Sequence, residues 1–453
     1  MSTSIDMTRG RPLKLMARFA VPLILSSLLQ QAYSLADSAI VGWLIGVEAF
    51  AAVGASSFLS WLPTSMLMGL SQGFGVLLAQ RFGAGDREGL RRATLLSAAM
   101  ASVAALAMTA LGIGFLTPLL VAVQTPAEMM AYSADYLRVV FSGLLATGLY
   151  NVAACALRAR GDSRSPLIAL VISTVLNIAL DWALVALAGM GVEGVALATV
   201  IAQCASLAYC GAQMRRTPAF PPAAGAPMTS GIAARLLKLG LPPMVRDGVV
   251  AVGGLFVQRA VNGFGTAFVA GMTAAQRYFS MLELVGAGLD GSLATFVAQN
   301  AGAGNRDRIA EGTRSAVRFG VVASIVTAVL AAALAQPLVA LLVGGAEAEV
   351  VGYGVNALRF TALFLPALYL LYIYRAVLQG MGDSITPTIS GFAELAMRMA
   401  SVMLLPPLIG RGAAYIANGL GWLLAAAVLM GVYYACRRRS RTANDKRDIG
   451  GNG

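Results

Sequence analysis

The stretch AQRFGAGDR at residues 79–87 recurs in the second half of the chain as AQNAGAGNR at residues 298–306. A second stretch, LRARGDSRSP at residues 157–166, recurs as LQGMGDSITP at residues 378–387. Two matches at nearly the same spacing indicate that the chain contains two homologous halves. Any fold assigned to the first half must therefore be repeated in the second.

The residues between these loops are strongly apolar. Hydrophobic residues make up 58% of the chain and charged residues only 12%, and the charges leave apolar stretches long enough to cross the hydrocarbon core as helices. A closed barrel would show short alternating strands instead. The sequence predicts an all-α integral membrane protein, with twelve transmembrane helices in two pseudo-symmetric six-helix bundles. The predicted spans are 16–43, 52–80, 93–123, 132–157, 166–188, 191–213, 234–262, 266–298, 315–343, 350–379, 387–410 and 412–436.

The basic residues indicate how the chain crosses the membrane. Most of the 33 lysines and arginines lie at the two termini or in the even-numbered loops, and such loops stay in the cytoplasm. This predicts cytoplasmic termini, parallel repeats and a bacterial-type inner-membrane location. It also explains the net charge of +12 without a nucleic-acid partner. The predicted parts are an N-terminal lobe (1–214), a cytoplasmic linker (215–232), a C-terminal lobe (233–436) and a basic cytoplasmic tail (437–453).

Several chemistries are excluded by composition. The chain has no histidine and no GxxxxGK[ST] motif, which removes the common metalloprotease, Ser/His hydrolase and P-loop mechanisms. None of its four cysteines belongs to a CxxC pair. We therefore predict no catalytic residues, no metal site and no cofactor. The apolar run after the basic amino terminus is too long for a signal peptide, and it is interpreted as an uncleaved first span.

Acidic residues inside the first-half spans are the strongest functional signal. Asp37 lies late in the first span, and Asn177 and Asp181 lie four residues apart on one face of the fifth. Charged side chains inside a bilayer are costly and usually face a cavity or a partner. We predict that Asp37, Asn177 and Asp181 form a site for a coupling ion, either a proton or a sodium ion. The alternative is that each acid is hydrogen-bonded for structural reasons alone.

Polar and aromatic residues near these acids are candidates for a substrate cavity. Gln30 lies two turns before Asp37 on the same face of the first span. Tyr33 and Tyr150 could contact an aromatic cation by stacking or by a cation–π interaction. Packing in the membrane interface is the competing interpretation of each tyrosine.

The second half carries a different set of charged residues. Asp247, Glu283 and Asp290 are candidates for a second coupling acid, although Asp247 and the adjacent Arg246 can neutralise each other. Glu394 and Arg398 lie four residues apart on the eleventh span, which favours an internal salt bridge over a substrate contact.

These motifs together resemble the multidrug and toxic compound extrusion (MATE) family, and the similarity extends from about Met16 to Tyr434. No single motif is decisive, but several in the right order are a specific signal. The stretches that carry the resemblance are residues 21–54, 69–93, 156–184, 236–242, 296–308 and 378–387.

The resemblance implies a secondary active exporter of cationic or amphipathic small molecules, which exchanges them for protons or sodium by alternating access. The family's coupling residues fall on Asp37, Asn177 and Asp181, and its further polar cavity positions fall on Gln30 and Asn151. The glutamate that some members carry on the seventh helix is replaced here by Val250. That departure favours a first-half site, for protons. A transporter rather than an enzyme is expected, working as a monomer within membrane lipid.

Four alternatives compete with this interpretation. A major facilitator transporter is suggested only by an imperfect loop motif at residues 83–92. A flippase or exporter of a lipid-linked or saccharide substrate from the same superfamily would often have more spans. An intramembrane aspartyl enzyme would need a paired YD/GxGD motif, which the sequence lacks. A membrane scaffold that kept the duplication only for packing is the least specific alternative.

Overall fold

The computed structural model describes residues 5–216, 230–343 and 348–450. Within these ranges the chain is helical and contains no strand, as expected where a backbone must satisfy its own hydrogen bonds in lipid. Most of the predicted linker (217–229 of 215–232) and the last three residues of the predicted tail lie outside the described residues. The rest of that tail continues the last helix as far as Gly450.

The described residues of the first half, 5–216, form eight α-helices. A 3₁₀ turn at Ala127–Met129 precedes the fifth, and π-helical turns at Val41–Ile45 and Ala183–Leu187 follow the first and the seventh. The helices are α1 (Pro12–Ile40), α2 (Val47–Gly83), α3 (Arg87–Gly114), α4 (Leu116–Ala122), α5 (Met130–Ser142), α6 (Leu144–Ala159), α7 (Arg164–Trp182) and α8 (Val192–Arg215).

The second half repeats this order, except that its second span is broken and its fourth is continuous, the reverse of the first half. Its helices are α9 (Ser230–Asn262), α10 (Thr266–Leu282), α11 (Leu284–Gly302), α12 (Arg306–Ala333), α13 (Ala335–Val343), α14 (Ala348–Gly380), α15 (Ile385–Leu404), α16 (Pro406–Ile409) and α17 (Gly412–Gly450). The boundaries of α3 and α12 correspond at the offset that relates the AQRFGAGDR and AQNAGAGNR loops, and both helices contain 28 residues.

The predicted twelve-helix architecture is confirmed. Ten of the described helical segments are long and apolar enough to cross a membrane, and an eleventh arises when 127–142 and α6 are joined across a bend of 44°. The remaining predicted span corresponds to α15. Its 20 residues are long enough to cross the hydrocarbon core, but they include the charged pair Glu394 and Arg398.

Several spans that the sequence predicts as continuous are broken, and at two of these breaks a side chain from another helix donates a hydrogen bond to a freed carbonyl. Between α5 and α6, Thr109 donates a hydrogen bond to the Phe141 carbonyl at 2.6 Å. Between α10 and α11, the Tyr369 hydroxyl donates to the Leu282 carbonyl at 2.9 Å. A broken helix leaves carbonyls that lipid cannot satisfy, so the protein must supply these donors.

The duplicated loops keep the same geometry in both halves. Gly85 and Gly304 occupy equivalent turn positions with φ of 71° and 76°, a region that glycine adopts without strain. In the other pair of loops, one carboxylate oxygen of Asp162 accepts from Ser165 N at 2.9 Å and the other from the Ser165 hydroxyl at 2.6 Å. Asp383 makes the matching contacts with Thr386 at 3.0 and 2.6 Å. The sequence repeat is therefore also a structural repeat.

The chain divides into two compact units. Unit 1 comprises Met1–Gly248 and Ala298–Ile309, and unit 2 comprises Val249–Val297 and Ala310–Gly453. The division falls within α9 rather than in the predicted linker. The start of α9 and the AQNAGAGNR loop therefore belong to unit 1. The core of unit 1 brings Phe74, Leu77 and Leu78 of α2 together with Leu236 and Leu239 of α9.

A short segment before α1 is buried inside unit 1. Ile5 donates from its amide to the Gly161 carbonyl at 3.1 Å. Met7 is fully buried, and its amide donates to Gln299 Oε1 at 3.0 Å while its carbonyl accepts from Asn300 Nδ2 at 3.1 Å. The amino-terminal segment thus bonds to one duplicated loop from each half of the sequence.

Candidate functional site

The two acids of the first half are positioned by the ends of α1 and α7. Asp37 lies four residues before the π-helical turn that follows α1, and Asp181 lies two residues before the turn that follows α7. Val41 and Val185, one from each turn, belong to the same buried apolar cluster. Single π-helical turns inside a helix are found frequently at functional sites. Here they terminate two helices side by side.

The carboxyl groups of Asp37 and Asp181 lie within hydrogen-bonding reach of each other. Asp181 and Asn177 are fully buried. Asn177 Nδ2 approaches Asp181 Oδ1 at 3.5 Å, which is too long for a strong hydrogen bond. The structure thus brings together the three residues that the sequence predicts for the coupling site. The contact between Asn177 and Asp181 is longer than a strong hydrogen bond.

A hydroxyl pair borders this carboxyl pair. The Tyr33 and Thr199 hydroxyls share a hydrogen bond at 2.9 Å, and Thr199 also lies 3.4 Å from Asn177 Nδ2. Tyr136 of α5 interacts electrostatically with both aspartates. Sequence reasoning did not identify Thr199 or Tyr136, because neither lies in a duplicated motif and neither carries a formal charge.

Three buried oxygen atoms at the site lack a hydrogen-bond donor within the described residues: Asp37 Oδ1, Asp181 Oδ2 and Asn177 Oδ1. None of the ion pairs found in the described part of the chain includes either aspartate. Buried oxygens without donors are costly, and two adjacent carboxylates repel each other. The arrangement is therefore suited to binding positive charge, as a proton shared by the carboxyls or as a hard cation.

The remaining first-half candidates are spread more widely. Tyr33 adjoins the carboxyl pair through Thr199, whereas Gln30 is exposed on α1 and Asn151 is half-buried on α6. Tyr150 packs beside Leu157 and Cys210 in another apolar cluster, and Arg158 is among its charged neighbours. The geometry therefore associates Tyr33 with the acids more closely than it does Tyr150.

Two of the second-half acids share a network with an arginine and a tyrosine. Arg375 Nη2 donates to Asp290 Oδ2 at 2.9 Å, and its guanidinium lies 4.7 Å from the ring centroid of Tyr372. The Tyr372 hydroxyl donates to Glu283 Oε2 at 3.2 Å. Glu283 and Asp290 thus belong to one network that already contains a cation.

The other two candidate acids are paired with arginines on their own helices. Glu394 and Arg398 form the ion pair that their spacing predicts. Asp247 accepts from the adjacent Arg246 at 2.8 Å, and both residues belong to unit 1 although they lie in the second half of the sequence. These residues therefore differ from Asp37 and Asp181, which no arginine neutralises in the described structure.

Comparison with known proteins identifies relatives along the whole chain. The MatE family model matches residues 22–183 and 245–404. A probable multidrug resistance protein of Bacillus subtilis is 26% identical over 384 residues, covering 83% of this chain and 84% of the relative. A FAD transporter of Shewanella oneidensis is 25% identical over 453 residues, covering 94% of each protein.

Solved structures give the same result for the fold. A crystal structure of MATE in the bent conformation superposes with a TM-score of 0.89 at 22% identity, covering 97% of this chain and 98% of that one. The match includes both halves of the sequence repeat. The chain therefore belongs to the multidrug and toxic compound extrusion family, and it is a multi-pass membrane transporter rather than an enzyme.

Proposed function

We propose that this transporter exports cationic or amphipathic small molecules in exchange for protons, and that Asp37 and Asp181 carry the coupling proton. The observation that carries the proposal is the carboxyl pair, in which Asp181 is fully buried and neither acid has a neutralising arginine within the described residues. The name of the Bacillus relative, a probable multidrug resistance protein, supports the substrate class. Cytoplasmic termini, an inner-membrane location and a working monomer complete the proposal.

The coupling follows from electrostatics. Two facing carboxylates repel when both are ionised, and one bound proton relieves that repulsion. A cationic substrate would relieve the same repulsion from outside the pair. Proton and substrate then stabilise the same negative site, so binding of either weakens binding of the other. Such competition between two ligands is the thermodynamic requirement for exchange.

A proton fits the site better than a sodium ion. A hard cation needs several converging oxygen ligands. The site offers two carboxyls, one amide and the Thr199 and Tyr33 hydroxyls, but those hydroxyls already bond to each other. Asn177 Nδ2, rather than its oxygen, is directed toward Asp181. A proton requires only the two carboxyls.

An anionic substrate is the second candidate function. The FAD transporter of Shewanella oneidensis matches nearly the full length of this chain. Buried arginine atoms without hydrogen-bond partners, Arg246 Nη1 and Arg398 Nε, occur within the described residues. Guanidinium groups recognise phosphate and carboxylate. A lipid-linked or saccharide substrate remains the alternative suggested by the wider superfamily.

The test is transport by the purified protein in liposomes. A fluorescent cationic dye is followed under an imposed pH gradient and, separately, an imposed sodium gradient. We expect the pH gradient to drive dye movement, and we expect Asp37→Asn and Asp181→Asn each to reduce the rate at least about ten-fold. Asp86→Asn is the control, since it removes one carboxylate from a loop and keeps the side-chain shape.

Three results would contradict the proposal. Transport driven only by sodium would reassign the coupling ion. Full activity in Asp37→Asn would remove the carboxyl pair from the mechanism. Movement of FAD or another anion, with no movement of several cationic dyes, would replace the cationic substrate with the anionic one.

A further inference from the structure

Unit 2 contains a cavity of about 150 Å³ that the transport mechanism does not use. It lies where α12, α14 and the last part of α17 meet. Six of the residues that line it are aromatic or basic: Tyr374, Tyr433, Tyr434, Arg314, Arg318 and Arg437.

The tyrosines form the wall of this cavity. Tyr374 is 2% exposed and Tyr433 is 6% exposed, and their ring centroids lie 5.3 Å apart. Tyr434 is half exposed and shares a hydrogen bond of 3.0 Å with the Tyr374 hydroxyl. These contacts fix the rings, so the cavity has a rigid aromatic side.

The basic side is accessible and carries an excess of positive charge. Arg314 and Arg318 lie one turn apart on the same face of α12, and both are exposed. Neither forms an ion pair within the described residues, and Arg314 Nε donates only to the Ala310 carbonyl at 3.3 Å. None of the eight residues that line the cavity, all in the described part of the chain, carries a carboxylate. The cavity therefore favours an anion.

The first half lacks this set of residues. At the offset that relates α3 to α12, Thr94 corresponds to Thr313, but Leu95 and Ala99 stand where the second half has Arg314 and Arg318. At the offset that relates the loops of Asp162 and Asp383, Ala153 corresponds to Tyr374. The first half therefore lacks Arg314, Arg318 and Tyr374 at the corresponding positions, whereas Arg437 has a counterpart in Arg216.

The same face of α12 continues into an apolar surface. Phe319, Val322, Val326 and Val329 follow Arg318 at helical spacing and are 42%, 62%, 53% and 62% exposed. An exposed apolar stripe on a membrane helix faces acyl chains. Arginine next to tyrosine at the end of such a stripe is typical of the lipid headgroup level.

We propose that this cavity binds the phosphate of an anionic phospholipid, with Arg314 and Arg318 on the phosphate and the acyl chains along α12. The apolar stripe favours a lipid over a free phosphate, because free phosphate has no acyl chains to contact the stripe. The proposal rests on the membrane orientation given above, which puts this end of α12 at the cytoplasmic leaflet, where anionic lipids are found.

The experiment measures lipid binding directly, without transport. Purified, delipidated protein is titrated with phosphatidylglycerol or phosphatidylcholine in detergent, and bound lipid is counted by native mass spectrometry. We expect phosphatidylglycerol to bind tightly and phosphatidylcholine weakly. Each arginine is worth about a factor of five, so Arg314→Gln/Arg318→Gln should weaken phosphatidylglycerol binding roughly 30-fold.

Matched variants distinguish a specific binding site from non-specific electrostatic attraction. Arg87→Gln/Arg164→Gln removes two exposed arginines from other loops, and it should change the affinity less than two-fold. Arg314→Lys/Arg318→Lys keeps the charge and should lose affinity by only a few-fold. If the glutamine variant does not fold, this lysine variant still measures the contribution of the two guanidinium groups. Asp37→Asn should bind lipid normally, so a failure of the transport proposal would be distinguishable.

Equal losses in the two glutamine pairs would overturn the proposal in favour of non-specific charge attraction. Equal binding of phosphatidylcholine would overturn the anionic preference. Competition by millimolar inorganic phosphate that displaces the lipid completely would show that the cavity recognises free phosphate and that the apolar stripe contributes nothing.

Discussion

The acids inside the membrane helices have different partners in the two halves. In the first half, Asp37 and Asp181 face each other with only neutral groups nearby. In the second half, Asp290 is paired with Arg375 and Glu394 with Arg398. An unpaired carboxyl group is free to bind a proton or another cation, whereas a carboxylate beside an arginine already has a cationic partner. The two halves therefore differ in whether their acids already have a cationic partner, and this difference is the basis of the proton-coupling proposal.

The loops show that this divergence is selective. Asp162 and Asp383 make equivalent hydrogen bonds to a hydroxyl residue three positions later. A turn tolerates few substitutions, because its backbone needs a particular capping side chain. Buried side chains inside the bundles are constrained by their neighbours instead, and neighbours can change together.

The largest effect is expected from breaking the second-half pair. Asp290→Asn leaves the Arg375 guanidinium inside the membrane without its counter-charge. We expect the variant to lose about 3 kcal/mol of stability, the lower end for a buried pair, since each side chain is still 21% exposed. Thermal unfolding in detergent would measure the loss.

The comparison predicts a different result for the first half. Asp37→Asn removes a charge that has no cationic partner, so it should leave the unfolding midpoint unchanged or raised. Asp290→Leu/Arg375→Met removes both charges and should recover most of the stability lost in Asp290→Asn. Equal destabilisation by Asp37→Asn and Asp290→Asn would show that the two halves do not differ in this respect.

An intermediate effect is expected at Thr199, which joins Tyr33 to Asn177. Thr199→Val keeps the side-chain shape and removes the hydroxyl that both residues approach at 2.9 and 3.4 Å. The lost hydrogen bonds stabilise the arrangement of the site by about 1 kcal/mol. We therefore expect a several-fold lower transport rate at a saturating pH gradient. The control is Thr94→Val, whose hydroxyl bonds only to its own helix. The same rate in both variants would exclude Thr199 from the site.

The smallest effect concerns the duplicated turns. Asp86 caps α3 by accepting from Gly89 N at 2.8 Å, and Asn305 holds the equivalent position before α12. That backbone hydrogen bond, together with the nearby Arg81 guanidinium, lowers the pKa of Asp86 below its usual value. Asp86→Ala should cost about 1 kcal/mol, and Asp86→Asn should retain most of the cap.

The lowered pKa also predicts a pH dependence with a definite sign. Because the folded pKa of Asp86 lies below the unfolded value of about 4, its contribution is fully present above that pH. It is lost as the pH falls through the folded pKa. Wild-type stability should therefore decrease more steeply below pH 4 than that of Asp86→Asn. Parallel pH profiles for the two proteins would contradict the capping role.

Much of the fold was predictable, because bilayers leave few structural options. Apolar run lengths and the positions of arginines were sufficient to predict twelve helices, since a spanning segment must be helical and positive loops stay inside. The breaks beside Phe141 and Leu282 were not predictable. Each depends on a donor from another helix, Thr109 or Tyr369, whose proximity no local pattern encodes.

The candidate site was predictable as residues but not as an arrangement. Asp37 and Asp181 were found because ionisable groups are rare in apolar spans. Their meeting depends on the packing of the turns that contain Val41 and Val185. Thr199 could not be found in the same way, since an uncharged hydroxyl in a helix is common and carries no signal by itself.

The buried amino-terminal segment has a consequence for how the protein is made. Met7 leaves the ribosome early, but its hydrogen-bond partner Gln299 follows 292 residues later. At ordinary rates of synthesis this delay lasts roughly 15 to 60 s. Throughout that time the first half lies in the membrane without the hydrogen bonds that Gln299 supplies. Completion of unit 1 is therefore a late event in biosynthesis, and a chain that stops before Gln299 lacks the hydrogen-bond partners of Met7.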